Sequence, residues 1–444
     1  MKIAIAGTGY VGLVTAVCLA YHGHDVSCVD VDENKIALMR SGKSPIYELD
    51  LEELMQQNAE RLTYTTDYQS AYKDAEVIFI GVGTPEQADG SANLTYVYSV
   101  AKQIAHSVER DCVVVVKSTV PIGTNDAVEA LLQQEKVHDV TIEVASNPEF
   151  LAQGTAVRNT LHASRIILGV ESKHAETVLR NVYAGFDAPV LVTNRRSAEM
   201  IKYASNDFLA LKISYVNEIA NLCELVGADI QDVTAGMGLD PRIGNYFLSA
   251  GIGYGGSCFP KDTKALHWLA NCHDYEIKTI KAAIEVNEQQ KVKLLEKSRK
   301  YYKSLNGLTV AVLGLTFKPG TDDIREAPSL VNIPIMLQEG ATVHAWDAAG
   351  INHFKAFIQK STDCDLEKLL YFDTPQETIR NADICFIFTE WPEVKQLQVE
   401  DFKIMKRPIV LDGRNCLVWK YYDNEVIYES IGKFVRCIEE RDEQ

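Results

Sequence analysis

A run of closely spaced glycines near the start of the chain constrains its fold more than any other feature. Lys2–Ala6 is a short apolar segment, Gly7 to Gly12 carries the pattern Gly-x-Gly-x-x-Gly, and helical periodicity continues to Tyr21. This order predicts a strand, a tight turn and a helix, which is the setting that a dinucleotide-binding loop requires. The helix N-terminus then offers N–H groups and a partial positive charge to a pyrophosphate. A glycine-rich turn in an unrelated α/β protein is the alternative interpretation.

An acidic residue at the end of the second expected strand indicates which dinucleotide binds. Asp25–Val29 has the pattern of a strand and is followed by Asp30, eighteen residues past Gly12. A carboxylate here accepts hydrogen bonds from the adenosine ribose and repels a 2′-phosphate, so NAD is favoured over NADP. Lys35, in the next helix, is placed to reach the same ribose. The loop residues predicted to contact NAD are Gly7, Gly9, Tyr10, Val11 and Gly12.

Strand and helix patterns alternate in the first and last parts of the chain, which predicts two parallel sheets. Further strands are expected at 75–80, 112–117 and 141–145, and again at 308–314, 341–347 and 382–387. The predicted fold class is therefore α/β, with two doubly wound Rossmann-like domains joined by a long central helix. The predicted domains are 1–196, which binds NAD, 197–304, which is helical, and 305–444, which is the second Rossmann-like domain.

The long central helix is expected at 197–226, a segment nearly free of glycine and proline. Ser197 is the expected N-cap and Gly227 the expected C-cap. A second helical stretch is expected from Thr279 to Leu305. A helix of this length is suited to joining domains and to forming a dimer interface.

Composition excludes several classes of partner. The net charge of −17 argues against nucleic acid and against a polybasic membrane patch. No apolar run is long enough to span a bilayer, so no membrane segment is predicted. The ten cysteines include no Cys-x-x-Cys pair and no cluster with zinc spacing, which favours a reduced, cytoplasmic protein without a metal site.

The densest chemical signal is a glycine-rich loop that ends in a cysteine. Four glycines lie between Gly251 and Gly256, and Cys258 follows two residues later. Such a loop brings backbone close to a ligand and can direct a thiol toward it. Lys261 favours the thiolate, and Asp262 is suited to proton transfer. The alternative is a flexible surface loop with an incidental cysteine.

At this point the chain resembles the UDP-glucose/GDP-mannose dehydrogenase family, over essentially its whole length. The segments that carry the resemblance are 7–12, 116–124, 146–151, the helix with Lys202 and Asn206, 253–262, and 317–323 with Arg325.

The resemblance implies that NAD oxidises the C6 hydroxyl of a UDP-sugar to a carboxylate in two hydride transfers. Cys258 would then attack the intermediate aldehyde, and the resulting thiohemiacetal would be oxidised to a thioester. Lys202 and Asn206, four residues apart on one helix face, would bind the developing oxyanion. Glu149 and Asp262 would assist hydrolysis of the thioester, and Thr119 would contact NAD or a water.

The same resemblance implies the binding residues. Beyond the glycine loop and Asp30, the implied cofactor contacts are Thr84, Thr119, Glu149, Lys261 and Arg325. The implied substrate contacts are Glu149, Phe150, Leu151, Lys202, Asn206, Phe247, Leu248, Ser249, Ala250, Gly251, Gly255 and Lys318. Phe247 would stack on uracil, whereas Ala250 departs from the proline that many family members have there.

The resemblance also bears on the last domain, on assembly and on the substrate. The loop from Gly314 to Gly320 departs from the three-glycine pattern, which favours a shorter diphosphate over a second NAD. A homodimer through the central helix is expected. UDP-glucose is the expected substrate, with GDP-mannose or a UDP-N-acetylhexosamine as alternatives within the family. A non-catalytic nucleotide-sugar binder is disfavoured because it would not need Cys258, Lys202 and Glu149 together.

Overall fold

The computed structural model describes residues 1–361, 364–417 and 425–433, and the chain divides into two compact units. The first unit comprises Met1–Ser205 with Lys264–Asp274, and the second comprises Asn206–Thr263 with Tyr275–Gln444. The three domain boundaries expected from the sequence stay a prediction, and the end of the last domain lies outside the described residues.

The first unit is built on a mostly parallel sheet of eight strands with helices between them. Its elements are β1 (Lys2–Ala6), α1 (Tyr10–Tyr21), β2 (Asp25–Val29), α2 (Glu33–Arg40), α3 (Leu51–Gln57), β3 (Leu62–Thr65), α4 (Tyr68–Lys73), β4 (Val77–Ile80), α5 (Thr95–Ser107), β5 (Cys112–Val116), α6 (Thr124–Glu135), β6 (Ile142–Ser146), α7 (Ala156–Leu161), β7 (Ile166–Gly169), α8 (Lys173–Val182) and β8 (Val190–Thr193). The strand order is β3-β2-β1-β4-β5-β6-β7-β8, and only the pairing of β6 with β7 is antiparallel. The first six strands of this order form the doubly wound arrangement of a Rossmann fold.

Two helices contribute residues to both units. They are α9 (Arg195–Val226) and α11 (Phe259–Cys272), and α10 (Ile230–Gly238) lies between them in the chain.

The second unit repeats the same topology in a sheet of six strands among the described residues. Its further elements are α12 (Lys278–Lys291), α13 (Lys293–Ser298), β9 (Thr309–Leu313), α14 (Pro328–Gln338), β10 (Thr342–Trp346), α15 (Ile351–Ser361), β11 (Leu369–Tyr371), α16 (Pro375–Ile379), β12 (Ile384–Ile387), α17 (Pro392–Lys395), α18 (Val399–Phe402), β13 (Ile409–Asp412) and β14 (Ile427–Ser430). The order β11-β10-β9-β12-β13-β14 is all parallel. The predicted α/β fold with two Rossmann-like halves and a long central helix is therefore confirmed.

Each central strand is buried on both faces, as parallel sheets covered by helices require. In β1, Ile3 and Ile5 join one apolar cluster while Ala4 and Ala6 join the cluster on the opposite face. This alternation follows from the two-residue period of a strand. Polar side chains are therefore found where the strands end, at the carboxyl edge of the sheet.

The start of the central helix differs from the prediction. Helix α9 begins at Arg195, and the side chain of Asn194 accepts a hydrogen bond from the Ser197 backbone N–H at 2.8 Å. The prediction of Ser197 as N-cap is therefore wrong, because Asn194 already satisfies this N–H. At the other end, Gly227 has φ +79° and its N–H bonds the carbonyl of Cys223, so the predicted C-cap is confirmed.

The second helical stretch is shorter than predicted and is interrupted. The structure has α12 and α13 with a break at Val292, and regular helix ends at Ser298 rather than Leu305. Among the described residues, no helix combines the length and the apolar character needed to cross a membrane.

Candidate functional site

The glycine loop of the first unit has the geometry that a dinucleotide needs. Gly7 has φ +92°, and a Cβ atom on Gly12 would lie 1.9 Å from the Gly7 carbonyl oxygen. A Cβ atom on Gly9 would meet no atom within 4 Å, so this face of the loop is open to a ligand. Helix α1 begins at Tyr10, which directs the first N–H groups of the helix to the same place. The residues present therefore fit a bound pyrophosphate.

Asp30 lies at the end of β2 and is held by the same loop. Its Oδ2 atom accepts hydrogen bonds from the Thr8 N–H at 2.9 Å and the Thr8 hydroxyl at 2.5 Å, and its Oδ1 atom accepts one from the Asp32 N–H. Burial alone would raise the pKa of Asp30, but these hydrogen bonds outweigh burial and lower it. The Lys35 ammonium lies 4.0 Å from Oδ2. The carboxylate is therefore ionised and oriented at the position expected for ribose recognition.

Two further residues that the resemblance links to the cofactor meet in the first unit. The Thr84 hydroxyl, which follows β4, donates a hydrogen bond to the Thr119 carbonyl, which follows β5, at 2.9 Å. Both residues lie beyond the carboxyl ends of central strands, where ligands bind in open α/β sheets.

Glu149 and Lys202 form a buried ion pair in the first unit. The Lys202 ammonium donates to Glu149 Oε1 at 2.9 Å, and the Leu151 N–H donates to Oε2 at 2.7 Å. The two side chains are only 6% and 3% exposed. The Phe150 ring lies under the Lys202 ammonium, 5.4 Å from it. Burying two charges costs free energy, and a buried ion pair contributes little to stability in return. This pair is therefore a candidate for a catalytic role.

Lys117 was missed as a site residue, although it lies close to this pair. It follows the apolar strand β5, is buried, and donates a hydrogen bond to Asn147 Oδ1 at 2.9 Å. Burial lowers its pKa to about 8, with Glu149 opposing and Lys202 reinforcing that change. A cavity of about 220 Å³ is lined by Lys117, Asn147 and Glu149 among other residues. A lysine directly after an uninterrupted apolar strand is the sequence signal that could have identified it.

In the second unit, Cys258 immediately precedes α11. Its carbonyl accepts a hydrogen bond from the Asp262 N–H at 2.8 Å, so the cysteine occupies the N-terminal cap position of this helix. The partial positive charge at a helix N-terminus stabilises a thiolate. Cys258 is half-buried, whereas Cys18, Cys28, Cys112, Cys223 and Cys385 are buried and pack as small apolar side chains.

The glycine loop before Cys258 is packed and anchored. Residues 251–256 are buried, and a Cβ atom on Gly255 would lie 2.5 Å from the Glu326 carbonyl oxygen. The Arg414 guanidinium donates to the Gly253 carbonyl at 3.0 Å, and the Tyr254 N–H donates to Asn287 Oδ1 at 2.8 Å. The interpretation as a flexible surface loop is therefore wrong. Sequence reasoning missed the anchoring side chains, which are Asn217, Asn287, Gln290 and Arg414.

Asp262 lies one turn into α11 and is fully buried. The Asn206 amide donates to its Oδ2 atom at 2.6 Å, and the Lys261 ammonium donates to its Oδ1 atom at 2.6 Å. Each oxygen of Asp262 therefore accepts one hydrogen bond, which fixes the orientation of its carboxyl group. Lys261, predicted as a cofactor contact, is bound to Asp262 in this structure.

Several predicted substrate residues of the second unit lie before or after the cysteine loop in the chain. Phe247 has φ +63° and is partly exposed, and its ring packs edge-on against Phe259 at 6.1 Å. Leu248 and Ala250 are buried and Ser249 is exposed. The Lys318 ammonium lies 5.6 Å from the Phe317 ring.

Arg325, predicted to contact NAD, pairs with Asp323 in this structure. Its Nη2 atom donates to Asp323 Oδ2 at 2.6 Å, while much of the guanidinium side chain remains exposed. The Arg325 carbonyl also accepts from the Gly256 N–H at 2.8 Å, which ties this segment to the cysteine loop.

The second Rossmann-like half differs from the first where a cofactor loop would lie. Its acidic residue, Asp347, is buried, and its Oδ2 atom accepts from the backbone N–H groups of Leu315 and Thr316 and from the Trp391 indole. No helix follows β9 directly, since α14 begins only at Pro328. This half therefore differs from the first in the loop and in the helix that would follow its first strand.

Comparison with known proteins identifies the family to which the chain is similar. Three family models match, all described as UDP-glucose/GDP-mannose dehydrogenase family: the NAD binding domain over 1–187, the central domain over 196–289 and the UDP binding domain over 311–418. The match to an NAD binding domain confirms the predicted cofactor.

Individual relatives resemble the chain over nearly its whole length. A UDP-glucose 6-dehydrogenase of Bacillus subtilis is 46% identical, covering 94% of this chain and 94% of its own. The structure of a UDP-glucose dehydrogenase from Pyrobaculum islandicum superposes with a TM-score of 0.89 at 36% identity, covering 98% of both chains. A UDP-D-ManNAc dehydrogenase structure from Pyrococcus horikoshii has a TM-score of 0.84 at 26% identity, covering 98% of this chain and 99% of its own.

Proposed function

The chain belongs to the UDP-glucose/GDP-mannose dehydrogenase family and is an NAD-dependent oxidoreductase, and from this premise we propose that it oxidises UDP-glucose at C6 to UDP-glucuronate. The observation that carries this proposal is the placement of Cys258. It lies at the N-terminus of α11, at the end of a buried loop and one helical turn from Asp262. A thiol in this setting serves a covalent step that a simple alcohol dehydrogenase does not need.

The first step of the proposed mechanism converts the alcohol to an aldehyde. Bound NAD would supply the oxidant by accepting one hydride in each of the two oxidations, and the proton of the C6 hydroxyl is released to water. Lys202 and Asn206 bind the C6 oxygen as negative charge develops on it. Lys202 is charged and already desolvated beside Glu149, so little reorganisation is needed when the oxyanion forms.

The second step uses the thiol to keep the aldehyde bound. The Cys258 sulfur adds to the aldehyde carbon and the carbonyl oxygen takes up a proton, which gives a thiohemiacetal. This adduct is again an alcohol, so loss of a second hydride and of the hydroxyl proton converts it to a thioester. Thr119, at the carboxyl end of β5, contacts the cofactor or an ordered water.

The third step is hydrolysis of the thioester. Asp262 takes a proton from water, the water oxygen bonds to the thioester carbon, and the carbon–sulfur bond breaks to return the Cys258 thiolate. Glu149 assists this water. Asp262 is proposed as the base because its buried carboxyl group lies one helical turn beyond Cys258, oriented by the Asn206 amide and the Lys261 ammonium.

Substrate identity is proposed from the UDP binding domain and from the relatives. The matched domain over 311–418 is described as UDP binding, and relatives at 46% and 43% identity are named UDP-glucose 6-dehydrogenases. Phe247 is partly exposed and available to stack on uracil, and Lys318 is proposed to bind the diphosphate. GDP-mannose or a UDP-N-acetylhexosamine is the alternative substrate.

We further propose a cytoplasmic homodimer that associates through α9. Three apolar side chains repeat at seven-residue spacing along this helix: Phe208 is 61% exposed, Tyr215 is 50% exposed and Leu222 is 52% exposed. Residues seven apart lie on nearly the same helix face, so these side chains form a stripe. Proteins that function as monomers rarely expose such a stripe, and a second copy of the chain would cover it.

The experiment that tests the proposed function counts NADH formed per nucleotide sugar consumed. The wild type is expected to form two NADH per UDP-glucose. Cys258→Ala is expected to lose sustained two-NADH turnover, because the aldehyde is no longer held as a thiohemiacetal. Cys272→Ala, which removes an exposed cysteine, serves as the control and keeps the wild-type stoichiometry.

Three outcomes would contradict parts of the proposal. A single NADH per sugar that does not depend on Cys258 would eliminate the thiohemiacetal route. Turnover of GDP-mannose or a UDP-N-acetylhexosamine, but not of UDP-glucose, would select the alternative substrate. Tight UDP-glucose binding with no NADH formed would leave only a binding function.

A further inference from the structure

A second carboxyl group lies buried beside the proposed base and has no role in the mechanism so far. Asp207 is only 2% exposed, and neither of its carboxyl oxygens has a hydrogen-bond partner among the described residues. It follows Asn206 on α9, and Asn206 is the residue that donates to Asp262. A buried ionised carboxylate without donors is strongly disfavoured, so this group requires an explanation.

The hydrogen bonds around the two carboxyls indicate where a proton resides. Asp262 accepts from the Asn206 amide and the Lys261 ammonium, one donor on each oxygen. Asp207 accepts from neither. A carboxylate is stabilised by donors, whereas a neutral carboxylic acid tolerates burial without them. The lack of donors at Asp207 therefore favours a proton on Asp207, whereas each oxygen of Asp262 already has a donor.

The charged groups facing Asp207 support the same assignment. Burial, reinforced by Asp262 and opposed by Lys261, raises the pKa of Asp207 to about 8. Tyr254, from the cysteine loop, faces Asp207 and also Glu288 from α12. Tyr254 is itself a neutral phenol, since burial raises its pKa to about 12. Lys261 is therefore the one cation among these facing groups, and it is already bound to Asp262.

We propose that Asp207 is a neutral carboxylic acid at neutral pH and that its ionisation adds a second negative charge near Asp262, which strengthens Asp262 as the base in thioester hydrolysis. Asp207 is a positioning residue in this arrangement, because it acts on the reaction only through Asp262. While Asp207 is neutral, the negative charge that balances Lys261 is that of Asp262 alone. When Asp207 ionises, a second negative charge in a site of low dielectric makes Asp262 a stronger base for the attacking water.

This inference rests on the role proposed above for Asp262, but its protonation state can be measured without turnover. Infrared difference spectroscopy of the whole protein at neutral pH detects the carbonyl band of a protonated carboxyl. We expect that band in the wild type, its loss in Asp207→Asn and its retention in Asp232→Asn, which alters an exposed aspartate. In the wild type itself the band should disappear as pH rises through about 8.

The kinetic test compares kcat for UDP-glucose oxidation in the same three proteins across neutral and alkaline pH. The ratio of wild-type to Asp207→Asn kcat is expected to be constant at neutral pH and to rise by about threefold through the Asp207 transition. Asp232→Asn should follow the wild type throughout. A merely structural role for Asp207 would change kcat by the same factor at every pH.

The outcomes separate this inference from the proposed function. An infrared spectrum in which Asp207→Asn loses no carboxyl band, or a kcat ratio that is constant with pH, would overturn the inference. Full activity in Asp262→Asn, or a failure of the wild type to form two NADH, would instead overturn the proposed mechanism. Loss of the band in Asp207→Asn together with the pH-dependent ratio supports the inference.

Discussion

At the scale of single residues, two aspartates at equivalent strand ends differ in how far their carboxylates are covered. Asp30 follows β2 and Asp347 follows β10, and each accepts hydrogen bonds from the loop after the first strand of its own half. Asp347 also accepts from the Trp391 indole and is buried. Asp30 has no such cover, so its carboxylate remains available to a ligand. The same residue type therefore stabilises a loop in one half and is proposed to recognise ribose in the other.

Replacing Asp30 by alanine should weaken NAD binding and reduce discrimination against NADP. The lost charge-assisted hydrogen bonds predict an increase in the NAD dissociation constant of about tenfold to a hundredfold. Fluorescence titration with NADH and NADPH measures both effects. Thr8→Val separates the two roles of Asp30, because it removes one donor from the loop but keeps the carboxylate. It should preserve the preference for NAD, and an unchanged preference in Asp30→Ala would show that Asp30 does not face the ribose.

At the scale of elements, helix ends depend on which polar side chain the tertiary fold brings into position. Sequence periodicity predicted α9 to within two residues at its start and correctly at its end. The error at the start arose because Ser197 and Asn194 are both acceptable caps. In the structure Asn194 is the cap, and the next residue, Arg195, donates its backbone N–H to the Glu171 carboxylate. The earlier start adds Arg195 to the helix, where it pairs with Asp126 and Glu129.

Asn194→Ala should therefore destabilise the first unit, whereas Ser197→Ala should not. Loss of an N-cap side chain costs about 1 kcal/mol in the free energy of unfolding. Ser197 lies inside the helix, where alanine has a slightly better propensity, so its replacement is expected to change stability by less than about 0.5 kcal/mol. Urea unfolding followed by circular dichroism compares the two variants. A larger loss for Ser197→Ala than for Asn194→Ala would contradict the observed cap.

At the scale of the whole molecule, the exposed stripe on α9 bears on assembly. Phe208, Tyr215 and Leu222 keep apolar surface exposed on a helix that also carries Asn206. Burial of this stripe by a second copy would remove that surface from water and so stabilise the helix. The proposed dimer would in this way support the element that positions a residue of the site.

Leu222→Glu should convert the proposed dimer to a monomer. A charge placed in an apolar interface costs several kcal/mol when it is desolvated, and the symmetric contact doubles that cost. Sedimentation velocity at micromolar protein concentration measures the change. Val137→Glu, which places the same charge on an isolated exposed residue of the first unit, should sediment as the wild type does. A wild type that sediments as a monomer would refute the dimer.

Local sequence signals determined much of the fold because they depend on neighbours along the chain. The bounds of β1 and β2 and the end of α1 agree with the prediction residue for residue, since apolar runs and glycines define them, whereas α1 begins at Tyr10, inside the glycine loop. The cofactor loop and the cysteine loop were recognised for the same reason: each lies in one continuous segment. The family resemblance added roles for residues such as Glu149, which no local pattern would have distinguished.

The tertiary structure alone decided how residues far apart in sequence are paired, because burial and hydrogen bonding are set by the packed fold. The residues next to Lys117 in the chain do not indicate that it lies near Glu149. Those next to Arg414 do not indicate that it binds the Gly253 carbonyl. Asp207 shows this most clearly, since an aspartate on a helix is ordinarily solvated. Asp207 is buried near Asp262 only because α9 packs against α11. Among the described residues, no donor reaches its carboxyl oxygens.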